Sequence, residues 1–66
     1  MHLAITLKAA RINASLTQKE AASALDITKS TLASYEMGKT IPKIDMAKKI
    51  ARLYGMSTED INFFEE

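Results

Sequence analysis

The chain has 66 residues, nine basic and eight acidic side chains for a net charge of +1, and no cysteine. That length allows one small domain, and the absence of cysteine excludes disulfide staples and thiolate metal sites. No apolar run is long enough for a membrane span, and the N-terminal MHLAITLKAAR lacks the apolar block and cleavage site of a secretory signal, so a cytoplasmic protein is expected.

In chain order, Leu3, Leu7, Ala10, Arg11 and Ala14 recur at threes and fours, which predicts a first helix over about 3–13. Thr17 with Glu20 three residues on is a capping box, in which the hydroxyl satisfies an orphan amide and the carboxylate reaches back. It predicts a second helix from Gln18, with Ala21, Ala22 and Leu25 on one face, stopping near Asp26, a residue tolerant of a left-handed turn. Thr28 is the next N-cap, starting a third helix over Lys29 to Glu36. Gly38 ends it, and Lys39 to Lys43 with Pro42 reads as an extended connection. Ile44, Ala47, Ile50, Ala51 and Tyr54 form a fourth amphipathic helix closed by Gly55. Ser57 caps a fifth, with Glu59 and Asp60 in its first turn and Ile61, Phe63 and Phe64 as its apolar content. With no strand, repeat or linker in this reading, residues 1–66 are expected to form a single all-α domain, a compact five-helix bundle.

The segment TQKEAASALDITKSTLASYEMGKTIP, Thr17 to Pro42, has a further regularity. Counted from Gln18, Ala22 falls fifth, Asp26 ninth, Leu32 fifteenth and Tyr35 eighteenth. A small residue lets two helices cross closely, the turn takes an unusual backbone conformation, and the later apolar positions anchor the second helix. This is the order of a helix-turn-helix unit over about residues 18–37. The charge is unevenly spread: residues 1–49 hold eight basic against four acidic side chains, whereas residues 50–66 hold only Arg52 against Glu59, Asp60, Glu65 and Glu66. One end could face phosphate while the other avoids it.

Residues 7 to 62 resemble the phage-repressor-type (Xre or Cro/cI-like) helix-turn-helix family. The resemblance rests on Arg11, Leu16-Thr17-Gln18, Ala21-Ala22, Asp26, Thr28, Tyr35-Glu36, Gly38-Lys39, Pro42, Ile50-Ala51 and Tyr54-Gly55. The chain departs from the family pattern at Asp26 and Ser15, where glycine is usual, and at Ala21, where leucine is usual. The missing volume at Ala21 is expected to be refilled by Ile27 or a methionine. The resemblance implies a lambda-repressor-like fold and a sequence-specific, double-stranded DNA-binding transcriptional regulator, a repressor sooner than an activator, that places its third helix in the major groove as a homodimer.

By position, the resemblance implies that Lys29, Ser30, Thr31 and Ser34 face base edges, with Lys29 either discriminating a guanine or holding phosphate. Gln18, Thr28, Lys39 and Lys43 would contact phosphates. Arg11 and Glu36 would form a structural ion pair that orients the third helix. Ile61, Phe63 and Phe64 are the candidates for a dimer contact, unless they simply close a small core.

An enzyme is not expected, because the lone His2, read as an exposed end residue, has no Cys or second His to build a metal or triad site, and Glu65 and Glu66 read as an acidic tail. No cofactor, metal or small-molecule ligand is implied. The alternative readings of the same bundle are a protein-interaction module and an antitoxin or restriction-controller protein.

Overall fold

A computed structural model describes residues 3–64; His2, Glu65 and Glu66 lie outside them. Four α-helices follow one another, α1 (Leu7–Asn13), α2 (Gln18–Leu25), α3 (Lys29–Glu36) and α4 (Ile44–Tyr54), then a one-turn 3-10 helix (Thr58–Asp60). Two short extended segments, β1 (Ile5–Thr6) before α1 and β2 (Ile61–Asn62) after the 3-10 turn, pair in parallel with Ile5 opposite Ile61.

Three of the four helix starts follow from their caps. Thr6, Thr17 and Thr28 accept hydrogen bonds from the amides of Ala9, Glu20 and Thr31 at 3.0, 3.1 and 3.1 Å. The Thr17 amide in turn donates to Glu20 Oε1 at 2.9 Å, completing the expected capping box. Hydrogen bonds from Thr17 hold the Glu20 carboxyl below its ordinary value of 4.5. All four helices end alike: a left-handed residue, Ser15, Asp26, Gly38 or Gly55, lets the next amide return to a carbonyl five residues back. The expected turn at Asp26 is present, with φ 59 and ψ 42.

Two expectations are corrected here. The first helix begins at Leu7, not near residue 3, and Leu3 is 77% exposed. Thr6 caps α1, and β-branched Ile5 and Thr6 favour the extended backbone that pairs with β2. Among the described residues there are four α-helices, and the fifth of the expected bundle is replaced by the 3-10 turn and β2. Past the single 3-10 turn, the chain extends so that Ile61 and Phe63 enter the core while Phe64 points outward, an alternation of period two.

The core gathers Leu7 and Ala10 of α1, Ala21, Ala22 and Leu25 of α2, Leu32 of α3, and Ala47, Ile50, Ala51 and Tyr54 of α4, closed by Ile61 and Phe63. Five of these are alanines, so the helix backbones approach closely and three larger side chains, Leu25, Leu32 and Ile50, fill the centre. Ala21 is fully buried, and Ile27, Met46 and Met56 are among the partly buried side chains that pack against the core. Ile44, expected in the apolar stripe of α4, is instead exposed. Lys49 reaches from α4 to the Leu25 carbonyl at 3.2 Å, a cation at the negative end of α2.

A left-handed backbone costs a non-glycine residue about 1–2 kcal/mol, against about 0.5–1 kcal/mol of extra chain entropy for glycine. Ser15→Gly is therefore expected to stabilise the fold by about 0.5–1 kcal/mol, and Asp26→Gly by less, because aspartate tolerates this region better. Urea and thermal melts read this directly, and a loss of stability at Ser15→Gly would count against the argument.

Candidate nucleic-acid interface

α3 is held by one deeply buried side chain, Leu32, and leaves its first two turns accessible on the other side. Lys29 and Ser30 are exposed, while Thr31 and Ser34 are half-buried along a groove. Tyr35, expected in the core, is half-buried at its edge. Thr31 and Ser34 form one wall of the groove, Thr40, Ile41 and Lys43 the connection beyond it, and Asp45, Met46 and Lys49 of α4 the far side. Thus two of the expected base-facing residues share a groove with one of the expected phosphate contacts. Lys29 and Lys39 lie outside that lining, both exposed, and with Lys43 make no ion pair among the described residues. Thr40 and Lys49 were not singled out from the sequence, because a polar residue in a loop and a lysine on a charged helix face carry no local signal.

Thr28, expected at a phosphate, is exposed at the start of α3 and serves as its N-cap. Its hydroxyl accepts from the Thr31 amide and lies 2.8 Å from the Thr31 hydroxyl, so both side chains are engaged in starting α3. The remaining capacity of Thr31 faces the groove.

Behind α3 lies a polar cluster that ties three helices together. Arg11 of α1 meets Glu36, the last residue of α3, with Nε 2.6 Å from Oε2 and Nη2 3.3 Å from Oε1. Only 4% of the Glu36 side chain and 9% of Arg11 are exposed, so the pair is largely dry. Arg11 Nη1 also donates to the Leu16 carbonyl at 2.8 Å, just before α2 begins. Gln18, first residue of α2, donates from Nε2 to Glu36 Oε1 at 3.0 Å. The Arg11–Glu36 pairing is therefore formed as expected, and Gln18 belongs to it, which nothing in the local sequence indicates.

Nearby, the Tyr54 hydroxyl is buried with no hydrogen-bond partner among the described residues. Burial first, and then the negative charge of Glu36, push its pKa up to about 12, with Arg11 acting in the opposite direction.

The expected dimer residues separate. Ile61 and Phe63 are buried within their own chain, which uses them to close the core, while Phe64 is 73% exposed. Phe64 borders a second, mainly apolar groove with Ile41, Pro42, Ile44, Ala47 and Phe63.

A helix-turn-helix family model matches residues 7–61. The chain is similar to an uncharacterised HTH-type transcriptional regulator of Methanocaldococcus jannaschii, 37% identical over 60 residues that cover 91% of each chain. It is 42% identical over 59 residues to the HTH-type transcriptional regulator ImmR of Bacillus subtilis, covering 89% of this chain and 46% of that protein. It is 31% identical over 51 residues to the cryptic phage CTXphi transcriptional repressor RstR of Vibrio cholerae, covering 77% of this chain and 46% of that one. No solved structure matches with comparable significance.

Removing one partner of a dry ion pair strands the other, which typically costs about 3–5 kcal/mol. Glu36→Ala should accordingly lower the melting temperature far more than Glu59→Ala at an exposed position; equal melting temperatures would remove the structural role of the pair. Tyr54 behaves oppositely. Its raised pKa contributes stability that is present below pH 10 and lost as the pH rises through about 12. Tyr54→Phe should change stability little at neutral pH, since the hydroxyl is unpartnered, and flatten the alkaline limb of a stability–pH curve.

Proposed function

The chain belongs to the helix-turn-helix family of the phage-repressor (Xre or Cro/cI-like) type, a family of DNA-binding transcription regulators and not of enzymes, and from this premise we propose how it reads double-stranded DNA. It is a DNA-binding transcriptional regulator that acts as a repressor, with α3 entering the major groove. The observation that carries this reading is the division of α3 into one buried anchor, Leu32, and an accessible polar face of Lys29, Ser30, Thr31 and Ser34. Hydroxyls donate or accept at several base edges, whereas an ammonium only donates, which suits guanine O6 and N7. Lys29 is accordingly the discriminating residue.

Lys39 and Lys43 flank this face as phosphate contacts, and Gln18 supplies a neutral one at the start of α2. Thr28 contributes the amides that its cap positions at the start of α3. One recognition helix spans few base pairs, so a homodimer on two half-sites about one helical turn apart is the natural active form. Exposed Phe64, with Ile41 and Ile44 beside the same groove, supports self-association at that edge. Among the described residues no helix is long and apolar enough to cross a membrane.

Selection from a random duplex pool should recover a defined half-site, repeated at a fixed spacing if the dimer forms. Lys29→Ala should relax preference at one base position by about 1–3 kcal/mol. Lys39→Ala should weaken all sequences alike and reduce the slope of log K against log salt by about 0.9. No affinity for duplex DNA at low salt would instead favour a protein-interaction module. Phe64→Ser should weaken self-association in ultracentrifugation while leaving the monomer folded, and an unchanged dimer would remove Phe64 from the interface.

A further inference from the structure

We propose that Glu36 is a positioning residue for DNA: by accepting from Gln18 it decides which face of the Gln18 amide meets a phosphate. The inference rests on the reading of Gln18 as a phosphate contact. A glutamine side chain ends in an acceptor oxygen and a donor nitrogen of nearly equal size, and rotation about its last bond exchanges them at little cost. A phosphate oxygen only accepts, so the wrong face repels it. A carboxylate also only accepts. Glu36 Oε1, 3.0 Å from Gln18 Nε2, therefore requires the nitrogen on its side and leaves the second N–H of the same group as a donor.

Glu36 can impose this because it is itself fixed. Its other oxygen is held at 2.6 Å by Arg11 Nε, and the Arg11 Nη1 bond to the Leu16 carbonyl anchors the guanidinium to the backbone two residues before Gln18. The chain of contacts closes on itself: Arg11, Leu16, the Thr17 cap, Gln18 and Glu36. The end of α3 and the start of α2 are thereby one unit, so gripping a phosphate at Gln18 also fixes the tilt of α3.

The test is a double-mutant cycle in affinity for a random-sequence duplex at low salt, where phosphate contacts alone are read. Glu36→Gln keeps the shape but offers Gln18 either face. Because that variant strands Arg11, a second background, Arg11→Met with Glu36→Leu, replaces the whole pair by apolar groups. In the parent, Gln18→Ala should weaken binding roughly tenfold, the loss of one hydrogen bond to a charged group. In either folded background lacking Glu36 the same change should cost only about half as much, roughly fivefold, since an amide that must choose between two equivalent orientations loses a factor of about two. In parallel, the Gln18 side-chain amide proton bonded to Glu36 should be displaced in an NMR spectrum of the parent from its free-glutamine position and return toward it in both backgrounds. An equal Gln18→Ala penalty with and without Glu36 overturns the inference and leaves the phosphate contact standing. No penalty in the parent removes the phosphate contact itself, and the inference with it.

Discussion

The Arg11–Glu36 pair is the constraint on which the placement of α3 and its accessible polar face depends. α3 has only eight residues and a single fully buried side chain, Leu32, so hydrophobic burial fixes its position at one point and leaves its direction open. A second fixed point at its far end supplies the direction. That point is polar, and it is dry enough that either partner alone would be an uncompensated charge. The net stability gained from such a pair is small or even negative against an apolar replacement, so its value lies in geometry.

A core with alanine at five of its twelve positions follows the same logic. Close helix approach gives little apolar area per residue, which a chain of this size can ill spare. It also brings the start of α2 within hydrogen-bonding distance of the end of α3, where Gln18 meets Glu36. The pairing of β1 with β2 ties the two ends of the described chain together and places Ile61 and Phe63 over the remaining opening. Two aromatic residues that look equivalent in sequence are thus divided, Phe63 into the core and Phe64 onto the surface.

Most of the helical architecture was legible because its signals are short-range. Thr17 and Glu20, Thr28, Asp26, Gly38 and Gly55 act on amides and carbonyls within five residues, and each lies at the helix end where its chemistry predicts. Of the candidate site, the accessible face of α3 and the Arg11–Glu36 pair are both implied by the family resemblance. The errors have a common cause. Leu3 and Ile44 fit a helical stripe, and Ile61, Phe63 and Phe64 look like apolar helix content, yet their fates depend on partners distant in the chain. The period-two step from Ile61 to Phe63 was a strand signal, too short to outweigh the Ser57 cap.

By itself, then, the sequence determined where α2, α3 and α4 begin and end and which residues of α3 stay polar, since capping and periodicity are local properties of the chain. Only the tertiary structure decided that the last segment is extended, that Phe64 alone of the three terminal apolar residues is left uncovered, and that Gln18 is bound to Glu36. Those outcomes depend on which surfaces are already occupied when the helices close on one another, and that is settled by packing in space and not by spacing along the chain.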